Sequence, residues 1–448
     1  MKRNDSMFLP ETIVRILNAL EGAGYAAYVV GGCVRDACLG LTPHDYDLCT
    51  SALPEQTEEV FRDYRLVLAG KKHGTVGVVT EDGVVEITTF RTEGEYRDNR
   101  HPDWVAFVPD VEQDLARRDF TVNAMAYSPI RGYADPFGGR EDLKNGILRA
   151  VGDPAKRFQE DSLRILRGLR FAARFALTME PATRQAMEQE KHRMESLARE
   201  RVFEELSKLL VSVTDARELV DYGPILAAVI PELEPMIGFD QRSPHHAYDI
   251  FTHTAHVVTG VSADLDRRWA ALLHDVGKVP TFTQDSTGRG HFYGHAQASA
   301  EMADAILLRL KAPTDLRKKV VFLIDRHMTK LEPDRKLLRR RLSQYGWESV
   351  ADLLALQRAD FTSKGVREKG PDFSRIDDLL TELHREDACL SLKDLAVKGN
   401  DLTALGFSGK AIGQALNDLL EQVLEENLPN EKEALLSYLN TKIEENTV

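Results

Sequence analysis

Residues 28–48 read YVVGGCVRDACLGLTPHDYDL, and this stretch decides how the N-terminal part of the chain folds. Its first three residues form a short hydrophobic run that predicts a buried strand. Gly31 and Gly32 follow, where the backbone can come close to a bulky group. Asp45 and Asp47 stand one residue apart, and on a strand this spacing places both side chains on one face. We therefore expect a strand, a glycine turn and a second strand that carries two carboxylates.

Paired carboxylates predict a cation site. Two carboxylates on one face of a strand repel each other unless they share a cation. Two-metal phosphoryl chemistry uses this arrangement, because the cations clamp the attacking and leaving oxygens. Gly31, Gly32 and Arg35 are then expected to hold phosphates while Asp45 and Asp47 hold Mg²⁺. The alternative is a tight turn in which Asp45 caps a helix.

Length and composition limit the class of protein. The chain has 448 residues, which predicts two to four domains with ample material for buried cores. Its formal net charge of −13 argues against non-specific coating of nucleic acid, although a local basic face can still grip a particular RNA. No apolar run is long enough to cross a bilayer, and the N-terminus has no apolar signal core. We therefore expect a cytoplasmic protein without a membrane partner, whose four cysteines are reduced thiols.

Short β-branched runs at residues 66–68, 75–79 and 84–89 predict further strands, which complete a small mixed sheet. Glu86 lies in the last of these runs. It is either a third carboxylate beside the aspartates or a solvent-facing strand residue. Residues 91–103 are polar without periodicity and predict a mobile loop.

Helical patterns dominate the rest of the chain. Residues 112–127, EQDLARRDFTVNAMAY, predict an amphipathic helix, and almost every segment from Pro154 onward has helical periodicity. Residues 160–175, EDSLRILRGLRFAARF, carry arginines every three or four positions with no acid among them. These arginines are Arg164, Arg167, Arg170 and Arg174. They form one basic face on a helix, which is either a solvated face or, as the lack of interleaved acids favours, a binding face.

Asp161 and Arg164 suggest a specific use for this helix. A carboxylate only accepts hydrogen bonds, and a guanidinium only donates them. Cytosine and adenine each present an amino donor beside a ring-nitrogen acceptor, which this pair matches. Uracil and guanine present the reverse pattern and would leave buried polar groups mispaired. Such a helix could choose CTP and ATP without a nucleic-acid template.

Taken together, the motifs resemble those of class II tRNA nucleotidyltransferases, the family of CCA-adding enzymes that includes bacterial poly(A) polymerases. In chain order they are GGCVRDACLG with HDYDL, TFRTEGEYRDNRHPDWV, RRDFTVNAMAY, DPFGGREDL, RFQEDSLRILRGLRF and ERVFEEL. They span residues 28 to about 206. The resemblance implies an α+β fold, with a small mixed-sheet nucleotidyltransferase head and an all-helical remainder. The implied domains are a catalytic head (1–150), a base-recognising neck (151–215), an HD-type body (216–370) and a tRNA-binding tail (371–448).

The resemblance also implies a function. The chain is expected to add CCA to the tRNA 3′ end from CTP and ATP without a template, releasing pyrophosphate, as a monomer or homodimer. The expected catalytic residues are Asp45, Asp47 and Glu86, with Mg²⁺ on the two aspartates. The expected nucleotide-binding residues are Gly32, Arg35, Arg118, Asp161, Arg164, Arg167 and Arg170. The loop at 91–103 would be the flexible element needed for the switch to A addition.

A third group of residues resembles the HD metal-phosphohydrolase motif. The sequence LLHDVGK contains His274 and Asp275, and His253 lies upstream. With Asp360 or Asp325 as the last ligand, these residues are expected to bind a divalent transition metal. His291, His295 and His327 lie in the same region without an assigned role. The alternative is a degenerate HD fold that serves as an RNA-binding body.

Other functions stay open at this stage. A poly(A) polymerase shares the head and neck, a partial enzyme would add only CC or only A, and an HD phosphohydrolase would have a vestigial head. The near-neutral to acidic segment 430–448 disfavours processive binding of any RNA. The basic run 335–342, RKLLRRRL, either meets tRNA phosphates or is a solvated helix end.

Overall fold

The computed structural model describes residues 6–93, 105–366 and 370–445. Its contacts divide the chain into two compact units, Met1–Ile237 with Ile306–Ala312, and Gly238–Ala305 with Pro313–Val448. The predicted α+β class is confirmed, because a mixed sheet lies in the first unit and the second is almost wholly helical. The boundaries of the four expected domains stay predictions.

A seven-stranded mixed sheet organises the first unit, in the order β3-β4-β5-β2-β1-β8-β9. Its strands are β1 (Ala27–Val30), β2 (Leu48–Thr50), β3 (Leu66–Val67), β4 (Thr75–Thr80), β5 (Gly83–Thr89), β8 (Ala126–Ser128) and β9 (Gly132–Ala134). Two smaller pairs are β6 (Arg91–Glu93) with β7 (Val105–Phe107), and β10 (Ile147–Leu148) with β11 (Thr178–Met179). The predicted loop at 91–103 lies outside the described residues apart from its first three.

The central strand β1 is fully buried and sets the register of its neighbours. Its residues read AYVV, and it pairs antiparallel with both β2 and β8. A hydrophobic core that includes Tyr28, Val30, Cys49 and Phe90 lies against these strands. Burying such side chains stabilises the folded state by roughly 1.5–3 kcal/mol each. The ends of β1 and β2 are therefore fixed in place by the core beneath them.

Helices surround the sheet and continue beyond it. They are α1 (Glu11–Gly22), α2 (Gly32–Cys38), α3 (Pro54–Val60), α4 (Val111–Ala116), α5 (Gly139–Lys144), α6 (Pro154–Glu160), α7 (Leu163–Phe175), α8 (Pro181–Glu190), α9 (Arg199–Ser212) and α10 (Ala216–Leu226). Helix α7 packs closely at Gly168, where an added Cβ would lie 2.3 Å from Met187 Cε and 2.8 Å from Phe120 Cζ. This tight contact fixes the arginine-bearing helix against the segment that contains Phe120.

The predicted helix at 112–127 is wrong. Helix α4 ends at Ala116, a 3-10 turn follows at Thr121–Asn123, and Ala126–Ser128 is strand β8. The hydrophobic residues of the segment 112–127 are buried because the segment contributes a strand to the sheet and packs into the core beside it. In so short a segment, this burial gives a pattern of hydrophobic residues similar to that of one face of a helix.

The second unit is built from helices and one short hairpin. Its elements are α11 (Ile250–Gly260), α12 (Leu265–Leu273), β12 (Thr283–Gln284), β13 (Gly290–His291), α13 (His295–Arg309, whose end belongs to the first unit), α14 (Thr314–Arg326), α15 (Arg335–Thr362), α16 (Phe373–Arg385), α17 (Gly399–Ala404), α18 (Lys410–Leu424) and α19 (Lys432–Glu445). Helix α11 begins at the N-cap Asp249, whose carboxylate accepts hydrogen bonds from two backbone N–H groups. It packs against α12 and α15 around the fully buried Trp269. His253 lies on α11 and Asp360 on α15, and His274 and Asp275 follow directly after the last residue of α12.

Candidate active site

Nine of the predicted site residues line one cavity of about 840 Å³ in the first unit. They are Gly32, Arg35, Asp45, Asp47, Arg118, Asp161, Arg164, Arg167 and Arg170. This volume lies in the range of small-molecule and cofactor sites. The cavity is bordered by the aspartate segment on one side and by helix α7 on the other.

The two aspartates lie immediately before β2 rather than within it, which corrects the predicted strand. The backbone N–H of Val30 donates to the carbonyl of Asp47 at 2.9 Å, so pairing with β1 begins there. Strand β1 ends at Val30 and turns at Gly31, so the residues before Asp47 have no backbone partner on that strand. Among the described residues, the carboxylates of Asp45 and Asp47 form no hydrogen bond or ion pair. Both are therefore free to bind a cation.

The electrostatics of Asp47 agree with a shared cation site. The surrounding protein partly removes water from the Asp47 carboxylate, although the residue stays exposed, and this raises its pKa above the ordinary value. Arg118 opposes the rise, and the neighbouring Asp45 adds to it. A bound cation would relieve this repulsion. The carboxylate oxygens are the hard donors that Mg²⁺ and Ca²⁺ prefer.

Glu86 lies near the aspartates but outside the arginine-lined cavity. Strand β5 runs parallel to β2 with Leu48 opposite Ile87, which places Glu86 beside Asp47. Glu86 is exposed and lines two neighbouring cavities, one of which also contains both aspartates. Its catalytic role stays a prediction.

The glycine turn lets the backbone approach an arginine. Gly31 has a φ of 77°, a region that favours glycine, and an added Cβ would lie 2.7 Å from Arg118 Nη1. The sequence prediction expected a close backbone approach at both glycines and named Gly32, which begins α2, as the nucleotide-binding one. The structure shows the close approach at Gly31.

Arg35 is buried in the cavity wall and already has protein partners. Its Nε and Nη2 donate to Asp36 at 2.9 and 2.6 Å, and its Nη1 donates to Asn123 Oδ1 at 2.6 Å. The guanidinium also lies 4.4 Å from the ring centroid of Phe175. These contacts fix its position, while its predicted contact with a nucleotide stays untested.

Asp119 is a buried carboxylate that sequence reasoning missed. It accepts hydrogen bonds from Arg167 at 2.9 and 2.7 Å and from Asn123 Nδ2 at 3.0 Å. Burial would raise the pKa of Asp119, but Arg167 and Asn123 overcome this effect and lower it to about 2. Asn123 was missed as well, although both residues stand in the quoted motif RRDFTVNAMAY.

The arginine face of α7 has acidic partners after all. Arg164 donates to Glu160 at 2.9 Å, Arg167 to Asp119, and Arg170 to Glu205 at 2.7 Å. Glu160 lies before the helix, and Asp119 and Glu205 lie outside the segment 160–175. The residue spacing within that segment therefore contains no information about Asp119 and Glu205. Arg164 and Arg170 are buried, Arg167 is partly buried and Arg174 is exposed. Three of the four arginines of this face therefore form ion pairs at the wall of the cavity.

Asp161 and Arg164 line the same cavity, each held by other groups. Asp161 accepts from Arg201 at 2.9 Å and from the backbone N–H of Leu163 at 3.0 Å. Arg164 donates to the carbonyls of Arg157 and Arg117 in addition to Glu160. Arg201 was missed, although it stands in the quoted motif ERVFEEL. Further cavity residues are Arg174, which was predicted as part of the basic face, and Arg117, Leu163, Phe171 and Lys208, which had no predicted role.

A separate cluster of histidines and aspartates lies in the second unit. His253 Nε2 is 2.9 Å from Asp360 Oδ1, and His274 Nε2 is 3.2 Å from Asp275 Oδ2. Asp325 pairs with Arg326 instead, so Asp360 is the aspartate that the fold brings to the predicted HD residues. His253, His274 and Asp275 are buried and could hold a metal ion.

The basic run RKLLRRRL is tied to acids within its own unit. Arg335 contacts Glu386 and Glu426, Arg339 contacts Glu426, and Arg340 contacts Glu425. These pairs join α15 to α18 and to the end of α16. Binding of tRNA phosphates by these arginines, one of the two possibilities left open by the sequence, would therefore have to compete with ion pairs that already exist within the fold.

Within the described residues, no helix combines the length and apolar character that a membrane crossing needs.

Three family models match the chain. A poly A polymerase head domain matches residues 27–149, a probable RNA and SrmB-binding site of polymerase A matches 176–237, and a putative tRNA nucleotidyltransferase domain 2 matches 291–439.

Curated relatives match over almost the whole length. The CCA-adding enzyme of Streptococcus mutans is 33% identical over 443 residues, which covers 96% of each chain. That of Bacillus velezensis is 31% identical and covers 95% of this chain and 96% of its own.

Solved structures show the same fold. The Bacillus stearothermophilus CCA-adding enzyme in complex with CTP aligns with a TM-score of 0.72 and 28% identity, covering 97% of this chain and 98% of its own. The Thermotoga maritima CCA-adding enzyme complexed with tRNA aligns with a TM-score of 0.63 at 21% identity, covering 97% and 96%.

The buried Asp119 generates a prediction about stability and pH. Its pKa is lowered from 3.8 to about 2, so its ionised form contributes about 2 kcal/mol at neutral pH. Asp119→Asn should lower the free energy of unfolding by about that amount at pH 7. Because the stabilisation from a lowered pKa is complete above the unfolded value and is lost as the pH falls through the folded value, the difference from wild type should shrink between about pH 4 and about pH 2.

Urea unfolding followed by circular dichroism over this pH range measures the effect. Asp221→Asn, at an exposed position of α10, is the control and should change stability little. A difference at Asp119 that is independent of pH would contradict the assigned ion pair.

Proposed function

The chain belongs to the family of CCA-adding enzymes, and we propose that its first unit adds CCA to the 3′ end of tRNA from CTP and ATP. One observation carries this proposal: a single cavity joins two unpaired aspartates to an ordered set of arginines and Asp161. In this proposal residues 1–150 are the catalytic head, 151–215 the neck, 216–370 the body and 371–448 the tail. CTP, ATP and tRNA are the proposed substrates, and their use agrees with a cytoplasmic protein. We also propose that the protein acts as a monomer or a homodimer.

Asp45 and Asp47 hold the divalent ion in this proposal. Their carboxylates are unpaired among the described residues, and Asp45 adds to a rise in the pKa of Asp47 whose main cause is the partial loss of water around that carboxylate. When bound, Mg²⁺ supplies charge neutralisation at the phosphates and lowers the pKa of a hydroxyl that binds to it. Glu86, beside Asp47, is the further carboxylate available at this edge of the sheet.

The reaction joins the terminal ribose to the incoming nucleotide. The 3′ hydroxyl oxygen of the tRNA attacks the α-phosphorus, the bond to the β-phosphate oxygen breaks, and pyrophosphate leaves as the hydroxyl proton is lost. The chain contributes position and charge more than covalent chemistry. Arg118 lies against the Gly31 turn, where it can attract the phosphates toward the aspartates.

In this proposal Asp161 and Arg164 select the base, and other groups of the protein already hold both side chains in position. Asp161 has its two protein bonds to Arg201 and the Leu163 backbone, and an ionised carboxylate offers about four acceptor sites, so it can accept from an amino group. Among the described residues, Arg164 uses three of the five donors of a guanidinium. The remaining donors can reach a ring nitrogen. This pairing favours cytosine and adenine over uracil and guanine.

Poly(A) polymerase and partial CC or A addition remain the alternative functions. They use the same head chemistry and differ in how many nucleotides are added. The curated relatives that match this chain over its length are CCA-adding enzymes, which favours full CCA addition.

Asp47→Asn tests the metal-binding carboxylates. The substitution keeps the shape of the side chain but removes its charge, so it should lower nucleotide transfer with both CTP and ATP by at least about a thousandfold. Transfer is measured on tRNA that lacks CCA, and tRNA binding is measured by gel shift on the same preparation. Asp63→Asn, at an exposed position of the same unit, is the control. Incorporation near the wild-type rate would refute the assignment.

Asp161→Asn tests the base-reading role. The amide of the substituted side chain can place an N–H group against the amino group of cytosine or adenine, and two donors cannot form a hydrogen bond. The preference for CTP and ATP over UTP and GTP should therefore fall by at least about tenfold. Competition among the four nucleotides, read by sequencing the tRNA 3′ ends, measures this ratio. Glu195→Gln, at an exposed position of the same unit, is the control and should retain the wild-type choice. Unchanged selectivity in Asp161→Asn would show that other residues read the base.

A further inference from the structure

Phe171 of helix α7 has a buried ring that lines the cavity and lies among positively charged side chains. The distance from a guanidinium carbon to its ring centroid is 4.3 Å for Arg170 and 5.3 Å for both Arg35 and Arg167. A cation over the face of an aromatic ring is attracted by the negative charge of that face. Arg35 belongs to α2 and the other two arginines to α7, so one ring connects side chains of two helices.

Phe175 extends this contact by one helical turn. Residues four positions apart lie on the same face of a helix, and the rings of Phe171 and Phe175 are stacked with their centroids 6.2 Å apart. The guanidinium carbon of Arg35 lies 4.4 Å from the centroid of Phe175 as well. The arginine of α2 is therefore in contact with two aromatic rings of α7.

The acids of the cavity wall do not connect these three arginines to one another. Arg35 pairs with Asp36, Arg167 with Asp119 and Arg170 with Glu205. Among the described residues, no carboxylate forms an ion pair with two of the three. Their positive charges repel each other in a setting where little water screens them. Burial also lowers the pKa of Arg170, although Glu205 opposes this effect, so the charged form is costly there.

We propose that Phe171 is a positioning residue for nucleotide binding, because the negative face of its ring holds the guanidinium groups of Arg35, Arg167 and Arg170 in one fixed arrangement. This preset group of positive charges is then ready to attract the triphosphate of the incoming nucleotide. The inference rests on the proposed function, since it takes CTP and ATP as the ligands of this cavity. Both nucleotides carry the same triphosphate, so the ring affects both equally and leaves the choice of base unchanged.

Fluorination of the ring tests this inference. Mono-, di- and trifluorinated phenylalanine are placed at position 171 of the full chain by amber suppression. Fluorine withdraws electrons from the ring face and weakens its attraction for a cation, while the size and apolar character of the side chain change little. Isothermal titration calorimetry with Mg²⁺ and without tRNA gives the Kd of CTP and of ATP. Both Kd values should rise with each added fluorine, by about tenfold for the trifluorinated ring.

Phe158 provides the matched control. Its ring is fully buried in the same unit, and no guanidinium or ammonium group lies over it among the described residues. Trifluorinated phenylalanine at position 158 should leave both Kd values unchanged. Circular dichroism confirms that each chain is folded before titration.

The outcomes separate this inference from the proposed function. A wild-type chain that binds both nucleotides and extends tRNA, with Kd values that stay constant along the series at position 171, would show that the ring only fills space and would overturn the inference alone. An equal rise in Kd at position 158, or a rise for only one of the two nucleotides, would overturn it as well. A wild-type chain that binds neither CTP nor ATP would overturn the proposed function together with this inference.

Discussion

The buried carboxylate of Asp119 is the contact on which the cavity of the first unit depends. It binds Arg167 of helix α7 on one side and Asn123 on the other, and Asn123 in turn binds Arg35 of α2. This chain of bonds links the glycine turn beside the aspartates to helix α7, which carries Arg164. An unpaired buried charge would be costly, so each member holds the next in place. The turn beside Asp45 and Asp47 and the arginine-bearing helix are therefore positioned by one network.

The sequence predicted the fold class and nine of the eighteen described residues that line the cavity, but the local geometry of the site less well. Asp45 and Asp47 meet the arginines of α7 as expected. The strand expected to carry the aspartates starts only at Leu48, because its neighbour turns away at Gly31. The acids that pair with Arg167 and Arg170 come from distant positions, and periodicity within one helix contains no information about them. The prediction of a helix at 112–127 was wrong because short segments show similar patterns of hydrophobic residues whether they are buried in a sheet or on one face of a helix.

The two units bring together different sets of side chains. In the cavity of the first unit most arginines contact protein carboxylates, whereas Asp45 and Asp47 make no hydrogen bond or ion pair with the described residues, an arrangement that favours a hard cation and phosphate groups. In the second unit His253, His274, Asp275 and Asp360 lie together, and imidazole with carboxylate suits a transition metal. Sequence reasoning found the shared motif His274-Asp275 but could not decide between Asp325 and Asp360. The packing of α11 against α15 decides it, because it brings Asp360 to His253.

The most direct test of the central claim follows the 3′ ends of tRNA. The wild-type chain is incubated with transcripts that end at the discriminator base, at C and at CC, with single nucleotides and with all four together, and the products are sequenced. A cavity that reads cytosine and adenine through Asp161 and Arg164 predicts that every transcript ends in CCA, with C added before A and without U or G. Arrest at CC, growth of A beyond CCA or insertion of U or G would contradict the account.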